Sequence, residues 1–140
     1  KEEEVINAAK NADVHKNIMK FTKRYKTKLG ERGVTISGGQ KQSVSIARAL
    51  IKAPENMLFD DCLSAVDTET EEKILKNLRR ISEGKTTIIV SHRVSSAKDA
   101  DTIIVLEDGK IIQKGTHEFL INTDGYYKAL YLKQLSTKEL

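Results

Sequence analysis

Tryptophan is absent from this 140-residue chain, proline occurs once, at Pro54, and cysteine once, at Cys62. A single cysteine excludes an internal disulfide and fits a reducing compartment. Seven aromatics, four Tyr and three Phe, are too few to interleave with the basic residues as the stacking platforms of nucleic-acid binders do. No apolar run approaches the roughly 18 residues of a membrane span, and the run at residues 103–106 is strand-sized. The opening Lys1-Glu2-Glu3-Glu4 offers no apolar signal-peptide core. What is present is ordinary for a globular domain, with 39% hydrophobic and 31% charged residues and a net charge of +4. Lys20, Lys23, Arg24, Lys26 and Lys28 crowd into one stretch that holds two aromatics, Phe21 and Tyr25, and it reads as a solvated face.

Periodicity places two short helices between residues 2 and 21, broken near Asn11 and Asp13, with a stripe of Val5, Ile6, Ala9, Val14, Ile18 and Met19. Residues 22–36 are basic and glycine-containing, an ordered loop. Ser37 followed by Gln40 makes a capping box, and Val44, Ile46, Ala47, Leu50 and Ile51 continue as a helical stripe that Pro54 closes. Residues 57–59 form a buried strand tipped by Asp60 and Asp61. Thr68 with Glu71 suggests a second capping box, opening a helix that Gly84 stops. Two β-branched strands follow, at residues 86–91 and 102–106, and Asp108-Gly109 turns the second into residues 110–113. Thr116 caps a last helical region interrupted near Asp124-Gly125. Strand, helix, strand and hairpin imply an α/β fold with at least one parallel pairing.

Three segments carry chemistry. Ser37, Gly38, Gly39 and Gln40 lead straight into a helix, where free N–H groups and the helix dipole favour an anion and two glycines admit it to the backbone. The Ser37 hydroxyl has two competing uses there, as helix cap and as donor to a phosphate. Asp60, at the C-terminal tip of a strand, suits Mg²⁺ held through water, and Asp61 just beyond can orient or deprotonate a water. His92, at the tip of another strand, can reach a transferring γ-phosphate. Gly84-Lys85-Thr86 imitates the end of a phosphate-binding P-loop, G-x-x-x-x-G-K-[ST], but position 79 is Arg79 and the tripeptide follows a helix instead of a strand. No other segment of these 140 residues supplies that motif.

In this order the motifs resemble those of the ATP-binding domain of ABC transporters, over essentially the whole chain. Residues 36–40, Ile-Ser-Gly-Gly-Gln, resemble the ABC signature. Residues 57–60 resemble the Walker B strand, residues 63–67 the D-loop, and His92 the switch histidine. Gly30, Glu31, Arg32 and Gly33 resemble the loop by which exporter-type cassettes contact transmembrane domains, and residues 109–120 the segment after their hairpin. The resemblance implies a partial P-loop NTPase fold. Residues 1–54 would be the helical subdomain, and residues 55–140 the C-terminal half of the parallel core sheet with a β-hairpin and C-terminal helices.

It also implies an ATPase using ATP and Mg²⁺, at the cytoplasmic face of the cell membrane, with transmembrane domains and a second ABC ATPase domain as partners and no nucleic acid. In such head-to-tail dimers, homomeric or heteromeric, Ser37, Gly38, Gly39 and Gln40 would act on ATP bound by the partner. Asp60 as metal residue, with Asp61 and His92 as catalytic residues, would face the chain's own nucleotide, and Ser64 and Asp67 would contact the dimer partner. Where the family usually has a catalytic Glu, this chain has Asp61. The carboxylate is withdrawn by roughly 1 Å, a misplacement that can cost about a hundredfold in rate. The expectation is that this chain owns the degenerate site of a heterodimeric exporter, while its signature serves the partner's competent one. Without a P-loop, little or no ATP binding is expected of these residues alone. A strand carrying the P-loop is expected between those at 57–59 and 86–91, so that its absence would leave the chain to rearrange, pair the two directly or oligomerise. An alternative is a soluble ABC ATPase acting on nucleic acid or ribosomes, which the basic balance suits. The sequence at residues 30–33 and the C-terminal segment favour the exporter.

Overall fold

The computed structural model describes residues 1–138. The chain divides into two compact units, Lys1–Val90 and Ser91–Leu140.

In the first unit, helix α1 (Glu2–Asn11) places three glutamates in its first turn, complementing the helix dipole. Asp13, at φ +52°, turns the chain into α2 (His15–Met19). The basic stretch holds a single 3-10 turn at Arg24–Lys26, and then an isolated bridge of Leu29 to Val34. Helix α3 (Gly38–Leu50) begins on the expected capping box: Ser37 Oγ accepts from Gln40 N–H at 3.2 Å and Gln40 Oε1 from Ser37 N–H at 3.0 Å. Strand β1 (Asn56–Asp60) follows Pro54.

The cap of helix α4 (Thr68–Ile81) differs from expectation. Asp67, not Thr68, is the capping residue, accepting from Thr70 N–H at 2.9 Å on one oxygen and from Thr70 Oγ1–H at 2.8 Å on the other. The rule that pairs Ser or Thr with a later Glu overlooked the stronger acceptor one residue upstream. Gly84, at φ +74°, turns the chain before β2 (Thr86–Val90), so Gly84-Lys85-Thr86 joins a helix to a strand and is no P-loop.

Strands β1 and β2 are hydrogen-bonded neighbours, parallel, in the register Asn56↔Thr86 to Asp60↔Val90. Of the outcomes expected without a P-loop strand, the structure shows the direct pairing. Met57 and Phe59 are buried on one face, in a core with Ala8, Ala12, Val14, Ile46, Ala47, Leu63, Val66, Ile74 and Leu78. On the other face Leu58, Ile88 and Val90 are 68%, 55% and 48% exposed.

The second unit comprises α5 (Val94–Ala97), β3 (Ile103–Glu107), β4 (Lys110–Gly115), α6 (His117–Ile121) and α7 (Tyr126–Lys138). Strands β3 and β4 form the expected antiparallel hairpin, whose turn residues Asp108 and Gly109 both have positive φ. Thr116 caps α6 through Phe119 N–H at 3.2 Å. Val94, Ile103, Leu120 and Tyr127 make the core of this unit.

Candidate functional site

The N-terminus of α3 carries the residues expected to face a phosphate. The Gly38 and Gly39 N–H groups precede the first intrahelical bond, from Lys41 N–H to Ser37 O at 2.9 Å. Ser37 resolves its two expected uses without conflict. Its oxygen accepts from Gln40, and a hydroxyl that accepts still has a proton to donate.

The two glycines are unequal. A Cβ on Gly39 would stand 2.7 Å from Ala65 O, so only glycine fits while the loop after β1 lies against the helix. A Cβ on Gly38 would meet only Ala65 Cβ, at an ordinary 3.6 Å. The fold of this chain gives no steric reason for glycine at 38.

β1 ends at Asp60, whose register partner is Val90. Asp61 lies past the strand end in the left-handed region, at φ +46°, a conformation uncommon for a non-glycine residue. Its N–H donates to Val90 O at 3.0 Å, and its carbonyl accepts from Ser64 Oγ at 3.1 Å and Gln42 Nε2 at 3.3 Å. Both carboxylate residues are solvent-exposed. Among the described residues no three His, Cys, Asp or Glu side chains gather as a metal cage. Asp60 nevertheless fits Mg²⁺, which keeps most of its waters and takes one or two carboxylates beside substrate phosphates. Burial, with added repulsion from Asp61 and Asp60, pushes the Cys62 thiol up to about 11, so it stays protonated at neutral pH.

Gln42, one turn into α3, binds the loop that carries Asp61 and Ser64, and its sequence gave no hint of this. Its Nε2 donates to Ser64 Oγ at 3.0 Å and its Oε1 accepts from Ala65 N–H at 2.8 Å. The structure thus brings residues 37–40, Asp61 and Ser64 onto one connected framework. Asp67 lies just beyond, its carboxylate engaged in the α4 cap. Hydrogen bonds from Thr70 hold that carboxyl below its usual range. Gly30, Glu31, Arg32 and Gly33 form an exposed turn of their own, closed by Gly33 N–H to Gly30 O at 2.9 Å.

His92 belongs to the second unit and is exposed. Its carbonyl accepts from Gln134 Nε2 at 2.7 Å, while Gln134 Oε1 accepts from Val94 N–H at 2.8 Å. Gln134 on α7 therefore pins the backbone on both sides of Arg93. Sequence reasoning missed it, because a glutamine on a polar helix face carries no signal of what it reaches.

Known proteins resemble the chain over nearly its whole length. The ABC transporter family model matches residues 1–64. ABC transporter B family member 24, mitochondrial, of Arabidopsis thaliana is 46% identical over 139 residues, which are 99% of this chain and 20% of that protein. The multidrug resistance-like ATP-binding protein MdlA of Buchnera aphidicola is 49% identical over 140 residues, 99% of this chain and 24% of that protein. The chain thus spans about a quarter or less of these relatives. The structure of a bacterial Atm1-family ABC exporter with ATP bound matches with a TM-score of 0.90 and 42% identity, over 96% of this chain and 24% of that one. So close a match leaves the direct β1–β2 pairing as part of the shared fold, with no rearrangement to explain. Over nearly its whole length the chain is similar to exporters of the ABC transporter family, and it corresponds to a C-terminal part of their ATP-binding domain.

Proposed function

We propose that this chain is part of the ATP-binding and hydrolysing subunit of an ABC exporter, working at the cytoplasmic face of a membrane with transmembrane domains and a second ABC ATPase domain. The observation that carries the reading is the α3 N-terminus, where N–H donors, the Ser37 hydroxyl and a glycine with no steric role in its own fold converge. Phosphate oxygens are the ligand such an end favours. In a head-to-tail dimer, Ser37, Gly38, Gly39 and Gln40 close on ATP held by the partner. Asp60 would hold Mg²⁺ on the chain's own nucleotide, where the ion would supply charge neutralisation for phosphoryl transfer. Asp61 orients the attacking water, His92 contacts the γ-phosphate, Ser64 and Asp67 meet the partner domain, and residues 30–33 meet the transmembrane domains.

The sequence at position 61 supports a finer reading, that the chain owns the degenerate site of a heterodimeric exporter. The experiment is ATP turnover of the full-length transporter. Gly38→Ala should leave its melting temperature unchanged or slightly raised, because alanine fits there, and should lower turnover at least tenfold by obstructing phosphate approach. Unchanged turnover would remove the phosphate reading. Asp61→Asn should leave most turnover intact if the partner's site does the work; complete loss would show that this site is the competent one.

A further inference from the structure

Gln42 makes three side-chain hydrogen bonds to the loop after β1, and it lies between the two segments read as functional. Its carboxamide donates to Asp61 O at 3.3 Å and to Ser64 Oγ at 3.0 Å, and accepts from Ala65 N–H at 2.8 Å. Only a side-chain amide offers two donor hydrogens and an acceptor side by side at that reach. A glutamate lacks the donors and a lysine the acceptor. Ser64 closes the ring by donating to the same Asp61 carbonyl at 3.1 Å.

The ring holds something that resists being held. Asp61 has φ +46°, and such a conformation persists only where its surroundings over-determine it. Here Val90 fixes its N–H, and Gln42 with Ser64 fixes its carbonyl. Released, the residue would relax toward negative φ and swing its carboxylate away from where β1 aims it. The second contact is steric. Ala65 O lies so near Gly39 that even a methyl group would stand 2.7 Å from it, so helix and loop meet backbone to backbone.

We propose that Gln42 is a positioning residue that locks residues 61–65 to helix α3, so that the phosphate-facing helix end and the Asp61 carboxylate move as one body. This rests on the reading of residues 37–40 as phosphate-facing. A shift of the helix end on a partner's nucleotide is then transmitted directly to the carboxylate on the chain's own, without passing through the core. Gln42 touches no nucleotide, so its loss acts on turnover more than on nucleotide affinity.

The test uses the full-length transporter, with ATP turnover normalised to folded protein and hydrogen exchange read on peptides covering residues 61–66. Gln42→Leu keeps the size of the side chain and removes all three bonds. Exchange at Ala65 should rise roughly fivefold, as for loss of one ordinary hydrogen bond. Turnover should fall about tenfold, because the helix end that closes on the partner's nucleotide loses its anchor on residues 61–65, while KM for ATP stays within about twofold. Combined with Ser64→Ala, the two losses should be markedly less than additive, because both act on the Asp61 carbonyl. Unchanged Ala65 exchange, or faster exchange with unchanged turnover, overturns the proposal. Should Gln42→Leu not fold, Ser64→Ala alone, read by the same two measurements, decides in the same way. If Gly38→Ala has no effect while Gln42→Leu shows both of its effects, the phosphate reading falls and the lock stands.

Discussion

Tyr127 shows how a residue outside the candidate site organises its unit. It is 4% exposed, its hydroxyl bonds His117 Nδ1 at 2.9 Å, and the His117 ring also stands edge-on to Tyr131 at 5.3 Å. Burial first, and the neighbouring Tyr131 second, push the Tyr127 phenol up to about 12. The folded chain thus holds this proton where the unfolded chain loses it, near 10. The associated stability is fully present below about pH 10 and drains away as pH rises toward 12. Absorbance titration of the four tyrosines should therefore show one ionising last, close to the alkaline unfolding transition. Tyr127→Phe should abolish that late step and cost about 1 kcal/mol through the lost bond to His117. Four tyrosines titrating together near 10 in the folded chain would contradict this. None of it is legible in the spacing of residues 117 and 127, which lie on different helices.

Among the elements, α4 illustrates how a helix start can be read correctly in place and wrongly in agent. A strong acceptor followed by Glu69 and Glu71 in the first turn announces a helix whichever residue does the capping. Asp67 does it, and hydrogen bonds from Thr70, backbone first and side chain second, hold its carboxyl below the usual range. The folded-state value is depressed, so the stabilisation exists above the unfolded carboxylate range near 4 and is lost as pH falls through the folded value. Asp67→Asn should keep most of the cap geometry but flatten the acid limb of stability. The melting-temperature gap between wild type and variant should be largest near pH 6 and narrow toward pH 3. A gap constant across that range would mean that the charge plays no part. For the same reason a loss of transport activity in Asp67→Ala would need a melting curve beside it before it could be ascribed to a dimer contact.

Across the whole molecule, the two-stranded sheet of the first unit leaves Leu58, Ile88 and Val90 side by side in solvent. Apolar patches of this kind seek cover, and β-strands with open edges offer a means of pairing. The 140-residue chain should therefore self-associate, with light-scattering masses above 15.7 kDa that rise with concentration. Leu58→Lys combined with Ile88→Glu, an opposite-charge pair in register, should return it toward the monomer without disturbing Met57 and Phe59 beneath. A wild-type chain monomeric at every concentration would show that the strip is tolerated.

The sequence by itself determined the local architecture and the chemical inventory. The capping box at Ser37 and Gln40, the strand ending in two acids, the Asp108-Gly109 turn and the order of motifs all depend on residues within a few positions of one another, where periodicity and capping chemistry act. Tertiary structure alone decided what crosses longer gaps. It paired β1 with β2 without an intervening strand, held Asp61 at positive φ, made Gly39 obligatory but not Gly38, and joined Gln42 to residues 19 and 23 positions away. Glutamines such as Gln42 and Gln134 have no periodic or charge signature, and their reach is set by which backbone groups the fold happens to bring within 3 Å or so. The motifs of this chain are therefore written locally, and the hydrogen bonds that join them are a property of the folded packing.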